Sequence, residues 1–330
     1  MSKLFDDTGP LPKGKVGPTG AEPSPEQSDL QSADYLADAP ANAAPTTGDE
    51  SDFGGMPELG IRSQQPIDNS ADKARVICVI NRKGGVGKTT VTFNLAGGLV
   101  ELGSQVLVID LDPMGSLCRS IGVFPKDPAL SYLLIGGNGD IGSLVQPTHI
   151  QNLYVIPGDP NLRTFEMRHG DSTVYRDALR SHLDEIIQWK QFHYILIDCP
   201  PSLGLITGNA MAASHQALVP VDGSTYGMGA LTDTLAIIRM MQQNVNKKLG
   251  LAGLVLNNVD LGTVYDRTVF NVLKRRMRGA MFETVIPTSP EADEASQLGE
   301  PVTKHAPSSW MAKAYRDLVG ELIRSEPSRA

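Results

Sequence analysis

Seven short runs of apolar, largely β-branched residues recur after residue 74: RVICVI (75–80), QVLVID (105–110), LYVIP (153–157), YILIDC (194–199), ALVPV (217–221), LAGLVLN (251–257) and ETVIP (283–287). Near-continuous apolar runs are what strands covered on both faces require. A segment of helical character follows each run, and such alternation implies parallel pairing through right-handed crossovers. The pattern predicts an α/β fold, a doubly wound, mostly parallel sheet with helices on both faces. Near the C-terminus, SSWMAKAYRDLVGELI (308–323) places Met311, Ala314, Tyr315, Leu318, Val319 and Leu322 on one face of a helix, with Ser308 or Ser309 as its N-cap. No internal repeat is visible.

The first 72 residues break this pattern. They hold 9 of the 23 prolines and carry 4 Lys or Arg against 13 Asp or Glu, whereas residues 73–330 carry 25 against 24. Such a segment cannot bury enough apolar surface to offset its ordering entropy, so it is expected to be a disordered acidic leader, with 73–330 as the folded domain. The acidity of the chain belongs to the leader. No basic-then-apolar start suggests secretion, and no apolar run approaches the roughly 18 residues of a membrane span, so a cytoplasmic location is expected. Cys78, Cys118 and Cys199 are widely spaced and the six histidines show no ligand spacing, which argues against disulfides and zinc. A metal is expected only in the company of a nucleotide.

The chemistry begins at NRKGGVGKTT (81–90), between the first apolar run and the amphipathic stretch TVTFNLAGGLVEL. Gly84, Gly85 and Gly87 allow a tight turn whose N–H groups, together with the helix N-terminus that follows, surround a polyphosphate. Lys88 supplies a point charge to the terminal phosphates and the Thr89 hydroxyl is a Mg²⁺ ligand candidate. Lys83, Gly84, Gly85, Val86, Gly87, Lys88, Thr89 and Thr90 are therefore the phosphate-binding candidates. The ordinary loop has glycine where this chain has Arg82, and it needs one lysine rather than two.

VLVIDLDPMGSL places Asp110 and Asp112 at the carboxyl end of a strand, where ligands of doubly wound sheets sit. One strand period separates them, so their carboxylates point the same way if extended pairing continues that far. HYILIDCPPSLG ends a further apolar run in Asp198, the arrangement that holds Mg²⁺ through water. On a helix beginning near Tyr265, Arg267, Asn271, Lys274, Arg275 and Arg278 form a basic stripe able to bind phosphates without reading bases.

Lys83, Gly84, Gly85, Lys88 and Thr89 match K-G-G-x-x-x-K-[ST], and the chain thereby resembles the ParA/MinD superfamily of deviant Walker A ATPases, in particular the ParA-type partition and positioning ATPases. The resemblance spans nearly all of 75–323. It implies a P-loop fold, ATP and Mg²⁺ as ligands, and an ATP-dependent homodimer in which Lys83 crosses to the partner's phosphates. It also implies Asp112 as the residue that positions or deprotonates the attacking water, Asp110 and Asp198 as supports of Mg²⁺, and Pro200, Pro201 and Gly204 as a second switch. Asn257 and the backbone around Pro287 correspond to adenine contacts, and Arg267 to an arginine of a DNA-contacting D-x-R-T segment. A nucleoid-associated protein stimulated by a ParB-like or cargo-bound adaptor follows from the same resemblance. Met114 and Ser116 depart from the family's Gln and Asn, and Thr288 and Glu291 stand where many relatives have DNA-facing arginines. The alternative is a MinD-like membrane-associated ATPase, disfavoured by Arg82 and by a short, weakly basic chain end. Relatives with cysteine-bridged clusters or tyrosine-rich tails fit less well.

Overall fold

Each of the seven apolar runs forms a strand in the computed structural model, which describes residues 74–170, 174–260, 262–277 and 279–324, with only the backbone at 225–228. The acidic leader lies outside the described residues. The strands are β1 (Arg75–Val79), β2 (Val106–Asp110), β3 (Gln146–Pro147), β4 (Leu153–Ile156), β5 (Tyr194–Asp198), β6 (Gln216–Val221), β7 (Gly250–Val259) and β8 (Met281–Pro287). They form one sheet in the order β3-β4-β2-β5-β1-β6-β7-β8. All neighbours run parallel except β3 and β4. β3 escapes the hydrophobic pattern because two residues at a sheet edge, one of them proline, carry no alternation to read.

The helices that flank this sheet are α1 (Lys88–Glu101), α2 (Ser116–Ser120), α3 (Leu130–Leu134), α4 (Asn161–His169), α5 (Ala178–Gln188), α6 (Leu205–Ala213), α7 (Thr225–Asn244), α8 (Val264–Arg276), α9 (Pro290–Gln297), α10 (Val302–His305) and α11 (Trp310–Arg324). Strand residues alternate between two cores. Val76, Cys78, Ile80, Leu107, Ile109, Ile195 and Ile197 pack with residues of α5, α6 and α7. Ile77, Val79, Val106, Val108 and Leu196 pack with α1 and α11 on the other face. A side chain on either face of these strands is thus removed from water, which is why the runs are apolar throughout rather than alternating.

All six residues expected on the apolar face of the last helix are buried, Tyr315 and Leu322 completely. Ser309 is its cap, its Oγ accepting from the Ala312 N–H at 3.1 Å. β1 lies between β5 and β6; the chain leaves it for β2 on the β5 side and later crosses from β5 to β6 on its other side. The carboxyl ends of β1, β5 and β2 therefore border the crevice where such sheets receive ligands.

Candidate nucleotide site

The segment that leaves β1 is pinned before it turns. Asn81, buried, donates from Nδ2 to the Pro220 carbonyl at 2.7 Å and accepts the Lys83 N–H on Oδ1 at 2.9 Å, which fastens the loop to β6. Gly85 and Gly87 then take left-handed φ values of 74° and 88°. At Gly87 a Cβ would also overlap Asn257 Nδ2. That nitrogen donates to the Val86 carbonyl at 2.8 Å, so β7 braces the loop from behind. Gly87 caps α1 without a side-chain hydrogen bond, and uncapped first-turn amides at a helix N-terminus are the arrangement that favours an anion. Lys88, only 7% exposed, lays its ammonium against the Lys83 carbonyl at 3.0 Å. Burial holds its pKa below the usual lysine range, and the Asp198 charge works against that shift.

The carboxylates come from two neighbouring strands. Asp110 and Asp198 are paired in register at the ends of β2 and β5, and both are fully buried. Asp198 accepts from Thr89 Oγ1 at 2.7 Å and from Thr92 Oγ1 at 3.4 Å. Asp110 accepts the N–H groups of Asp112 at 3.1 Å and Cys118 at 3.3 Å. Burial pushes Asp110 up to about 6 and Asp198 well above the usual carboxylate range, and the two charges repel each other. Two buried carboxylates in this relation favour a cation beside them.

Asp110 and Asp112 do not share an orientation. Extended pairing ends with the Leu111 N–H on the Asp198 carbonyl, and the chain then turns, Gly115 N–H bonding to the Asp112 carbonyl at 2.8 Å. Asp112 is consequently only half-buried, and its Oδ1 accepts the Met114 N–H at 2.9 Å. The turn is held close by Gly158, where a Cβ would stand 2.6 Å from the carbonyl oxygens of both Asp110 and Asp112.

Both cations ahead of the glycines are held within the chain. Arg82 donates its N–H to Thr234 Oγ1 at 3.1 Å and pairs with Asp233, fastening the loop to α7. Lys83 pairs with Asp222 and donates to Ser224 Oγ at 2.8 Å. Pro200 and Pro201 follow β5, and Ser202 Oγ beside them donates to the Glu166 carboxylate of α4 at 3.2 Å and 3.3 Å. Pro287 ends β8 opposite Val259, next to the strand end that carries Asn257. With Asp260, Thr288 and Trp310 among others, Val259 and Pro287 line a groove of about 810 Å³. Asn257 is 4% exposed and its nitrogen donates to the loop at Val86, so in this structure the side chain braces the P-loop.

Arg267, Asn271, Lys274 and Arg275 are exposed on α8, joined by Arg276, while Arg278 lies outside the described residues. Thr263 caps the helix by accepting the Asp266 N–H at 3.1 Å. Lys274 pairs with Glu283 and lies 5.6 Å from the Phe270 ring centroid, so part of its charge is matched within the chain.

Sequence reading missed Thr92, Gly158, Glu166, Asp222 and Ser224. Thr92 alone carried a local signal, one helical turn beyond Lys88. The others come from strand ends and helices remote in sequence.

A glycine loop opening on a helix, a buried lysine in that loop, and a threonine hydroxyl on a strand-end aspartate define a P-loop nucleotide-binding protein. The residues fit a magnesium nucleotide: the Thr89 hydroxyl on Asp198, with Asp110 in register beside it, is an oxygen donor set of the kind Mg²⁺ takes, and Mg²⁺ in such sites completes its shell with phosphate oxygens and water. Residues 74–251 match the AAA domain family model AAA_31. The chain is 33% identical to the sporulation initiation inhibitor protein Soj of Bacillus subtilis over 75% of its length and 98% of Soj. It is 31% identical to the chromosome partitioning protein ParA of Caulobacter vibrioides over 79% of its length and 98% of ParA. The septum site-determining protein MinD of Pyrococcus horikoshii, solved with Mg-ADP, superposes with a TM-score of 0.61 at 27% identity, covering 76% of this chain and 96% of MinD. The chain belongs to the ParA/MinD superfamily of P-loop ATPases, close to the ParA-type partition proteins.

Proposed function

We propose that this protein is a ParA-type positioning ATPase that binds ATP with Mg²⁺, dimerises on it, holds nonspecific DNA, and releases it when a cargo-bound adaptor stimulates hydrolysis. The observation that carries the reading is the second lysine: the P-loop is complete with Lys88, and Lys83 stands at its rim as an additional cation, its ammonium on Asp222 and Ser224. Two triphosphates brought face to face concentrate negative charge, and a lysine from each subunit relieves it.

Within one subunit, Lys88 and the α1 amides bind the phosphates. Thr89 and Asp198 would hold Mg²⁺, with Asp110 behind them; the ion would supply charge neutralisation on the phosphates. Asp112, half-exposed on its turn, is the group free to orient or deprotonate the attacking water. Arg267, Lys274 and Arg275, with Arg278, present phosphate-binding charge on α8. The nucleoid is the expected location, and among the described residues no helix is long and apolar enough to cross a membrane.

The decisive experiment weighs the purified protein by light scattering with Mg²⁺ and an uncleavable ATP analogue. It should double in mass, and DNA retention by that species should fall steeply with salt. A protein that stays monomeric under these conditions, or that retains DNA independently of salt, removes the proposal. Sedimentation with anionic liposomes and ATP separates it from a MinD-like membrane cycle.

A further inference from the structure

Lys83 is half-buried at the rim of the P-loop, where its ammonium contacts the Asp222 carboxylate and donates to Ser224 Oγ at 2.8 Å. The side chains of Lys83 and Asp222 are 26% and 16% exposed, so this pair is shielded from water more than a surface ion pair. Its acceptor is pre-set. The other oxygen of Asp222, Oδ1, receives the Ser224 hydroxyl at 2.9 Å and the Ser224 N–H at 3.4 Å, leaving Oδ2 aimed at the lysine. Both residues follow β6 directly, and β6 also carries the Pro220 carbonyl to which Asn81 is fastened. Asp222 thus stands at the end of β6, and the loop that carries Lys83 is fastened to the same strand through Asn81.

We infer that Asp222, oriented by Ser224, is a holding site for Lys83 that competes with the nucleotide phosphates of a second copy and so sets the ATP concentration at which the chain dimerises. The inference rests on the proposed function, specifically on Lys83 acting across the dimer. A lysine ammonium is a compact point charge on one flexible stem, and it cannot serve its own Asp222 and a phosphate of another subunit with full strength at the same time. Closure therefore exchanges one anion for another. The dimer gains only the difference between them, and a ligand shifts an equilibrium only by its differential affinity for the two states. Weakening the holding site lowers the threshold. Arg82, paired with Asp233 on α7, is a separate anchor of the loop in the single chain.

The test uses the full chain with Mg²⁺ and the uncleavable analogue, titrated while mass is followed by light scattering. Asp222→Asn keeps size and hydrogen-bonding shape but removes the charge, and should dimerise at an analogue concentration lower by on the order of tenfold. Asp222→Glu restores the charge and should return the midpoint towards wild type, while Ser224→Ala should shift it partway in the direction of Asp222→Asn. The gap between wild type and Asp222→Asn should narrow as salt rises, which a purely structural role would not produce. Thermal melting of each variant establishes that it is folded. If wild type dimerises and Asp222→Asn follows the same curve, or fails to dimerise while folded, the holding-site inference is overturned and the dimer reading survives. If wild type itself stays monomeric at saturating analogue, both fall.

Discussion

The carboxyl ends of β1, β2 and β5 and the outer face of α8 are both charged, yet their charges obey different rules. At the strand ends Lys88, Asp110 and Asp198 are buried, each oriented by named partners and each shifted from its ordinary titration range by the loss of water. On α8 the basic residues are exposed, and Lys274 pairs with Glu283 at the surface. A buried charge is costly to leave unpaired, so its geometry constrains what can bind. An exposed charge is inexpensive and screened, so its pattern narrows the class of ligand without selecting one.

Four measurements would break or sharpen this contrast. Lys88→Ala should lower ATP hydrolysis about a thousandfold, since it removes a preorganised cation from the phosphates; a loss of only a few-fold would mean that the buried lysine is structural. Asp112→Ala should slow hydrolysis about a hundredfold in single-turnover assays while leaving analogue-driven dimerisation intact. Near-normal turnover would move the catalytic assignment to another group.

The third concerns Asp110. Burial raises it in the folded chain from 3.8 to about 6, so the folded state holds the proton more tightly than the unfolded state. Between those values the stability of the nucleotide-free protein falls as pH rises. Asp110→Asn should therefore stabilise that form by about 3 kcal/mol at pH 7 in chemical denaturation, with the gain vanishing as pH drops below about 4. An unchanged or reduced stability at pH 7 would show that the carboxylate is better solvated than its surroundings indicate. The smallest effect belongs to the surface: Arg267→Ala should weaken DNA retention severalfold and flatten the logarithmic salt dependence by about 0.9. No change in that slope would detach α8 from the DNA.

The same contrast explains what could be read from the chain. The seven strands were visible because burial on both faces demands uninterrupted apolar runs, and the P-loop was visible because its glycines, lysine and threonine are contiguous. β3 was invisible for want of length. Asp110 and Asp112 seemed alike in sequence, and the end of pairing at Leu111 separates one into the core and the other onto a turn. Asn257 was legible as a polar residue at a strand end, but not as the brace of the loop at Val86.

By itself, the sequence determined the doubly wound fold, the phosphate loop with its two lysines, and the order of the three aspartates, because each depends on neighbours within one strand, loop or helix. The tertiary structure alone decided which groups meet that loop: Asp222 and Ser224 on Lys83, Asp233 on Arg82, Glu166 on Ser202, and Gly158 beneath the turn of Asp112. These contacts join residues far apart along the chain. Their positions follow from strand order in the sheet, which no local pattern encodes.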